Sequence, residues 1–325
     1  MSLQMNSTPL WRSAVWRLTL GTAAWGLSFP AAKAVMLAQG ALMPGRAEWF
    51  HAAFILMNRM LLSTLVMALL LRGRLRGLSK RECVQGLQLG LFGGLGMLLQ
   101  TDAQNYIAAS TSAFFTQFTS VFVPIYVAIH GRRFPSWAVV LAAGLVVAGC
   151  AVLSGVELGK IHLGRGEWET ILSAMLFTGQ IVTLERPVFH GNDMRRTATV
   201  MFAVKGLLLV PLVVAGGGAD VLCAYTSVPT MIITLLLALF CTTYAYATMV
   251  RWQPHVTSTQ AGLIYATEPV FATLWALFLP GWFSSLAGIA YANEHLSTSF
   301  FLGAALIVAA NVVIIFAPKV REGVA

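Results

Sequence analysis

Residues 261–278 read AGLIYATEPVFATLWALF, and residues 112–129 read SAFFTQFTSVFVPIYVAI. At an offset of 149 residues the two overlie one another, with Val121 and Phe122 falling on Val270 and Phe271. Each is a continuous apolar run of the length a membrane-crossing helix needs, about 20 residues. Neither alternates as a barrel strand would. A second pair follows in the same order: LAAGLVVAGCAV at 141–152 meets LGAALIVAANVV at 302–313 at an offset of 161. The change of offset fits a longer connecting loop over 280–296. At an offset of 146, Arg59 falls on Lys205. Three correspondences in one order predict two similar halves. With five spans in each, the second half enters the membrane from the opposite side, which is an inverted repeat.

Composition supports lipid as the solvent. Of the 325 residues, 58% are hydrophobic and 10% charged, with a mean hydropathy of +0.76. A soluble domain carries roughly 25% charged residues. The net charge of +9 would fit nucleic acid in a soluble chain. Here Lys and Arg lie mostly in the short breaks between apolar runs, so a membrane face accounts for them and nucleic acid is not a partner.

Ten segments qualify as spans: 18–38, 50–71, 84–104, 107–129, 136–154, 167–185, 196–215, 228–250, 256–279 and 298–317. With the N-terminus inside, 15 Lys and Arg fall in cytoplasmic connections and 3 outside, which predicts both termini on the cytoplasmic side. Arg12 and Arg17 before the first apolar stretch also resemble the start of a signal peptide. The stretch is longer than such a region, so it is read as a retained span. The predicted organisation is a cytoplasmic segment over 1–17, a first repeat over 18–155, a second over 156–317 and a cytoplasmic tail over 318–325. No extramembrane domain fits between these.

Several functions are disfavoured. Cys83, Cys150, Cys223 and Cys241 form no CxxC pair, so neither a disulfide framework nor a zinc site is expected. No GxxxxGK[ST] motif is present, which argues against direct ATP drive. HExxH and GxSxG are absent, and the six histidines fall in or near loops, so no catalytic group, metal or cofactor is expected. A receptor or assembly subunit without transport activity stays open as the alternative to a carrier.

Ionisable groups inside spans are costly and usually face a partner or a wet cavity. Glu268 lies at the centre of its predicted span and is followed by Pro269, which removes a backbone donor and loosens the helix. It fits binding of a substrate amine, proton coupling, or a structural pair with Arg59 or Lys205. Arg59 fits a structural pair equally with a substrate carboxylate. Lys33 fits an anion ligand or a side chain reaching for the outer interface. Lys205 is a secondary candidate, as is Asp102, expected with Gln100, Gln104 and Asn105 in a wet outer mouth. Thr116, with Ser112, Thr119 and Ser120, and Gln260, with Thr257 and Glu268, form polar faces that fit the walls of a cavity. Tyr265 and Trp25 are the aromatics placed to stack on a solute. The glycines Gly86, Gly90, Gly93, Gly94 and Gly96 predict a closely packed third span.

Some of these residues also carry a family resemblance. Trp25-Gly26-Leu27-Ser28-Phe29 with Lys33 resembles the first-span signature of the EamA branch of the drug/metabolite transporter superfamily. Arg59, Gly90-Leu91-Phe92-Gly93, Glu268-Pro269-Val270-Phe271 and Asn293-Glu294-His295-Leu296-Ser297 continue it in order. The resemblance implies an all-α membrane protein of ten helices as a 5+5 inverted repeat. It also implies carriage of a small organic solute, often export of an amino acid, metabolite or drug-like compound, across a bacterial inner membrane. Asp102, Lys205 and the long 280–296 connection depart from the pattern.

Overall fold

The computed structural model describes residues 9–130, 137–153, 163–256, 264–265 and 267–316, and among these all regular structure is helical. α1 (Pro9–Leu42) is 34 residues long and carries Pro30 without breaking. It is followed by α2 (Glu48–Leu71) and α3 (Lys80–Ala103). α3 starts on a capping box in which the Ser79 side chain accepts from the Glu82 amide while the Glu82 carboxylate accepts from the Ser79 amide. Next come α4 (Ala109–Thr116), α5 (Thr119–His130), α6 (Trp137–Leu153), α7 (Arg165–Glu185) and α8 (Met194–Gly216). α9 (Val228–Leu236) runs through a π-helical segment (Leu237–Tyr244) into α10 (Ala245–Trp252). α11 (Glu268–Ala276), α12 (Leu279–Ala287) and α13 (Thr298–Phe316) complete the chain.

By length and composition, four of these stretches can cross a membrane unaided: α2 with its 3-10 extension, α3, α8, and α9 through α10. The pair α11 and α12, bent by 51°, makes a fifth if it is one span. Large apolar side chains such as Leu65, Leu70, Val147, Leu207, Val214 and Ile232 face outward. In water that surface would drive association, and against lipid tails it is solvated.

Glycine sets the closest contacts, as the third-span pattern predicted. A Cβ on Gly86 or Gly90 would lie 2.6 Å from Val200 or 2.5 Å from Val204 on α8, and one on Gly96 would lie 2.9 Å from Phe177 on α7. A Cβ on Gly26 of α1 would meet the Ala272 amide of α11 at 2.7 Å. The packing partners follow from such contacts. α2 packs on α8, α6 on α13, α3 on α7 and α8, and α1 on α10 and α11. α2 also packs on the π segment, and α4 and α5 pack on α7.

Several predicted elements differ from expectation. The segment 107–129 is not one helix: it breaks at Gln117 and Phe118, where 3-10 hydrogen bonds replace the α pattern. The 280–296 connection is not all loop, because α12 occupies its first part. Pro280 sits in the first turn of α12, where no amide donor is needed, and Gly288 ends it at φ 64°, a left-handed conformation that glycine adopts at no steric cost. These cap signals were readable in the sequence. They were masked there by the polar stretch that comes after them.

Candidate functional site: a central cavity between the helices

The break in 107–129 and the start of α11 are built alike. The Phe118 amide donates to the Phe115 carbonyl at 3.1 Å, and the Phe122 amide to the Phe118 carbonyl at 2.9 Å. In the later segment the Thr267 amide donates to the Ile264 carbonyl at 3.1 Å, and the Phe271 amide to the Thr267 carbonyl at 3.1 Å. The offset is again 149 residues. Each break restarts a helix, so the N-termini of α5 and α11, marked by Thr119 and Glu268, both line one cavity. Glu268 is therefore a first-turn residue of α11 and not the midpoint of a continuous helix.

The cavity measures about 610 Å³, within the usual range for small-molecule sites. Its walls come from α1 through α5, α7, α8, the π segment, α10 and α11. On the side of the α1 N-terminus the lining extends to Leu184, near the end of α7, and to Met249 on α10. Apolar side chains such as Phe177, Phe202, Met60 and Leu89 dominate it. Polar groups are few and placed by specific bonds. Gln100 donates to the Thr116 hydroxyl at 2.8 Å, and Thr116 donates to the Ser112 carbonyl at 2.8 Å. Trp25 and Tyr265 meet with ring centroids 5.5 Å apart, and the Tyr265 hydroxyl donates to Gln253 at 2.9 Å.

Arg59, Lys205 and Glu268 all line this cavity. Arg59 is 6% exposed, and its Nε donates to the Thr242 hydroxyl at 2.6 Å. Thr242 in turn donates to the Leu237 carbonyl five residues back, at 2.9 Å. The wider turn of the π segment thus offers both the hydroxyl that seats Arg59 and the Ala238 carbonyl that accepts from Ser63 at 3.1 Å. Lys205 is 5% exposed, and its Nζ contacts the Met97 sulfur at 3.5 Å. A Cβ on Gly93 would fall 2.6 Å from that Nζ and 2.2 Å from Gln180 Oε1, so only glycine leaves room for this arrangement. Among the described residues, none of the three charges forms an ion pair. The sequence reading allowed a structural pair between Glu268 and either cation, and this conformation contains none.

The other candidates lie elsewhere. Lys33 is outside the cavity lining, and its Nζ donates to the Ile107 carbonyl at 2.8 Å, tying α1 to the segment before α4. Asp102 is not in a wet mouth. It is buried and pairs with Arg165 at 2.5 Å, while Asn105 donates to its other oxygen at 3.1 Å. Arg165 also reaches Glu169 at 2.6 Å and lies 4.4 Å over the Tyr106 ring. The Glu169 hydrogen bond, aided by the nearby Asp102 and Glu169 charges, holds the Arg165 guanidinium protonated beyond its already high range. The correction has a simple cause: α7 starts against the end of α3, a proximity that hydropathy does not report. Gln260 and Thr257 lie outside the described residues.

Sequence reasoning missed Thr242, Cys241 and Gln180, which line the cavity beside Arg59 and Lys205. Their signal was weak: single polar residues in apolar runs usually hydrogen-bond between helices.

The residues 12–155 match the model of the EamA-like transporter family. No curated protein matches. A solved crystal structure, described only as that of a protein, is similar with a TM-score of 0.57 and 16% identity, covering 93% of this chain and 96% of that chain. At that identity the likeness concerns the fold alone. EamA-like proteins are multi-pass membrane proteins and not a family of enzymes, and the apolar helices agree with that placement. The likeness to the EamA-like transporter family thus covers residues 12–155, less than half of the chain.

Proposed function

We propose that the chain is a carrier of a small organic solute, working by alternating access between two inverted five-span halves, 18–155 and 156–317. The observation that carries this reading is the pair of breaks at Phe118 and Thr267, which share hydrogen-bond register at the 149-residue offset of the sequence repeat. Discontinuous helices whose N-termini meet near a central site are the device by which such carriers hold a solute. The packing supports it as well. Counting ten spans, exchange of each with the one five places on maps the most extensive helix packings onto packings that are also present. α2 with α8 and α6 with α13 map onto themselves. The contact of α3 with α7 becomes that of α10 with α1, and the contact of α1 with α11 becomes that of α7 with α4 and α5. Two packings of one such scaffold give two states of similar energy.

With the N-terminus cytoplasmic, as the loop charges imply, the cavity reaches toward the cytoplasm, and the structure corresponds to the inward-facing state. On the other side, Glu294 closes against the Ser110 amide and hydroxyl at the start of α4, and Asp102 against Arg165. Each of these links joins one half to the other. The resemblance favours export, across a bacterial inner membrane, of an amino acid, metabolite or drug-like compound. Glu268 is the candidate for proton or amine binding. Arg59, Tyr265, Thr116 and Trp25 line the solute site, and Lys205 joins them. Flux of a labelled-solute library into liposomes containing the purified protein tests the reading. Saturable, protein-dependent flux of at least one solute is expected, and its absence across the library counts for the receptor or assembly alternative.

A further inference from the structure

We infer that the solute presents an acidic group, a carboxylate, to Arg59 and Lys205, one cation from each half. This rests on the carrier reading and names the substrate class of the same cavity. The two cations occupy corresponding places. Arg59 and Lys205 fall together at an offset of 146, and each leans on the other half's counterpart helix. Arg59 seats on Thr242, and Lys205 lies across Gly93, which is the residue 149 places before Thr242. The cations therefore face the cavity from equivalent positions on its two sides.

Both are more than nine-tenths buried, and neither has a carboxylate within ion-pair distance among the described residues. Lys205 Nζ has a thioether as its polar contact. Glu268 is the single acid among the described lining residues, so it can balance one cation and leaves the other for the solute. The N-termini of α5 and α11 open on the same space and add two positive dipole ends. The apolar remainder, with Phe177, Phe202, Met201 and the Trp25–Tyr265 pair, suits an apolar or aromatic body behind the acid. The class is an amphipathic organic acid.

The test is calorimetric titration of the purified full chain in detergent with 3-phenylpropionate, its amide and 3-phenylpropylamine. The acid should bind about ten-fold tighter than the amide, as one charge-assisted contact implies, and the amine weakest. Lys205→Gln should bring acid and amide to within about two-fold of each other, and Lys205→Arg should restore the preference. An amide or amine that binds the wild-type protein as tightly as the acid overturns the inference. So does binding of none of the three, or an acid preference that survives in both Lys205→Gln and Arg59→Gln. The same compounds, labelled, are then offered to proteoliposomes. An acid that binds and is not carried removes the carrier reading and leaves the acid site standing. Saturable flux of the amine without binding of the acid does the reverse.

Discussion

At Phe118 and at Thr267 the backbone makes a like turn: a 3-10 bond to the residue three before, then a fresh α-helix that begins on the cavity. The residues just beyond the two turns differ. In the first half the new helix opens with Thr119, whose hydroxyl donates to the Thr116 carbonyl at 2.7 Å and so closes the break locally. In the second half it opens with Glu268 followed by Pro269, and the carboxylate is left to the cavity. α5 then runs unbroken to His130, while α11 stops at Ala276 and the chain bends by 51° into α12. The same backbone turn can thus carry two side chains of different kind, one bonded back to the break and one facing the cavity. The cations show the opposite pattern: Arg59 and Lys205 keep the same charge at corresponding positions, and only their seats differ.

The comparison can be broken most sharply at Glu268. Glu268→Gln keeps the helix start and removes the charge. If that carboxylate serves transport, proteoliposome flux of the carried solute should fall by roughly ten- to a hundred-fold, the worth of one charge-assisted contact. The melting temperature in detergent should change little. Unchanged flux with unchanged pH dependence would reduce Glu268 to the structural role of Thr119.

A second test addresses the cation seats. Gly93→Ala places a Cβ at 2.2 Å from Gln180 and 2.6 Å from Lys205. Overpacking of this kind typically costs about 1–3 kcal/mol, so thermal unfolding in detergent should shift down by several degrees, by roughly 2–8 °C. The same measurement on Thr242→Ala should show the smaller loss of one hydrogen bond, about 1 kcal/mol. Equal losses would mean that the two seats are alike after all.

Weaker effects are expected away from the cavity. Asp102→Asn loosens a link between the halves whose Arg165 partner is 54% exposed. A cost of about 1 kcal/mol or less in unfolding is expected, shrinking further with added salt. Lys33→Met removes the hydrogen bond to the Ile107 carbonyl, worth about 0.6 kcal/mol between membrane helices. Solute affinity should stay within about two-fold in equilibrium binding, because Lys33 does not line the cavity. A large loss of affinity would return Lys33 to the site.

Legibility varied with the range of the interaction. Arg59 and Glu268 were readable as cavity residues because ionisable groups inside a span usually face a partner or a wet cavity. Thr116 was readable because it clusters with Ser112 and Thr119 on one helix face, and Trp25 and Tyr265 only as aromatics placed to stack on a solute. Lys205 was readable as a charge and not as a ligand, since nothing local tells a snorkelling lysine from one laid across a glycine of another helix. Asp102 was placed wrongly because its partner lies 63 residues away. Lys33 shares the family-like signature of α1, yet its Nζ turns to a backbone carbonyl.

The sequence by itself determined the apolar segments, the loop-charge bias and the 149-residue echo, all of which depend on local composition summed over about 20 residues. The tertiary structure alone decided that the chain breaks at Phe118 and at Thr267 and which charges share a space. It also decided that, among the described residues, Arg59 and Lys205 are seated without acidic partners. Those outcomes depend on which helices touch: a buried charge takes its partner from whatever packing brings within a few ångströms, and hydropathy along the chain carries no information about that.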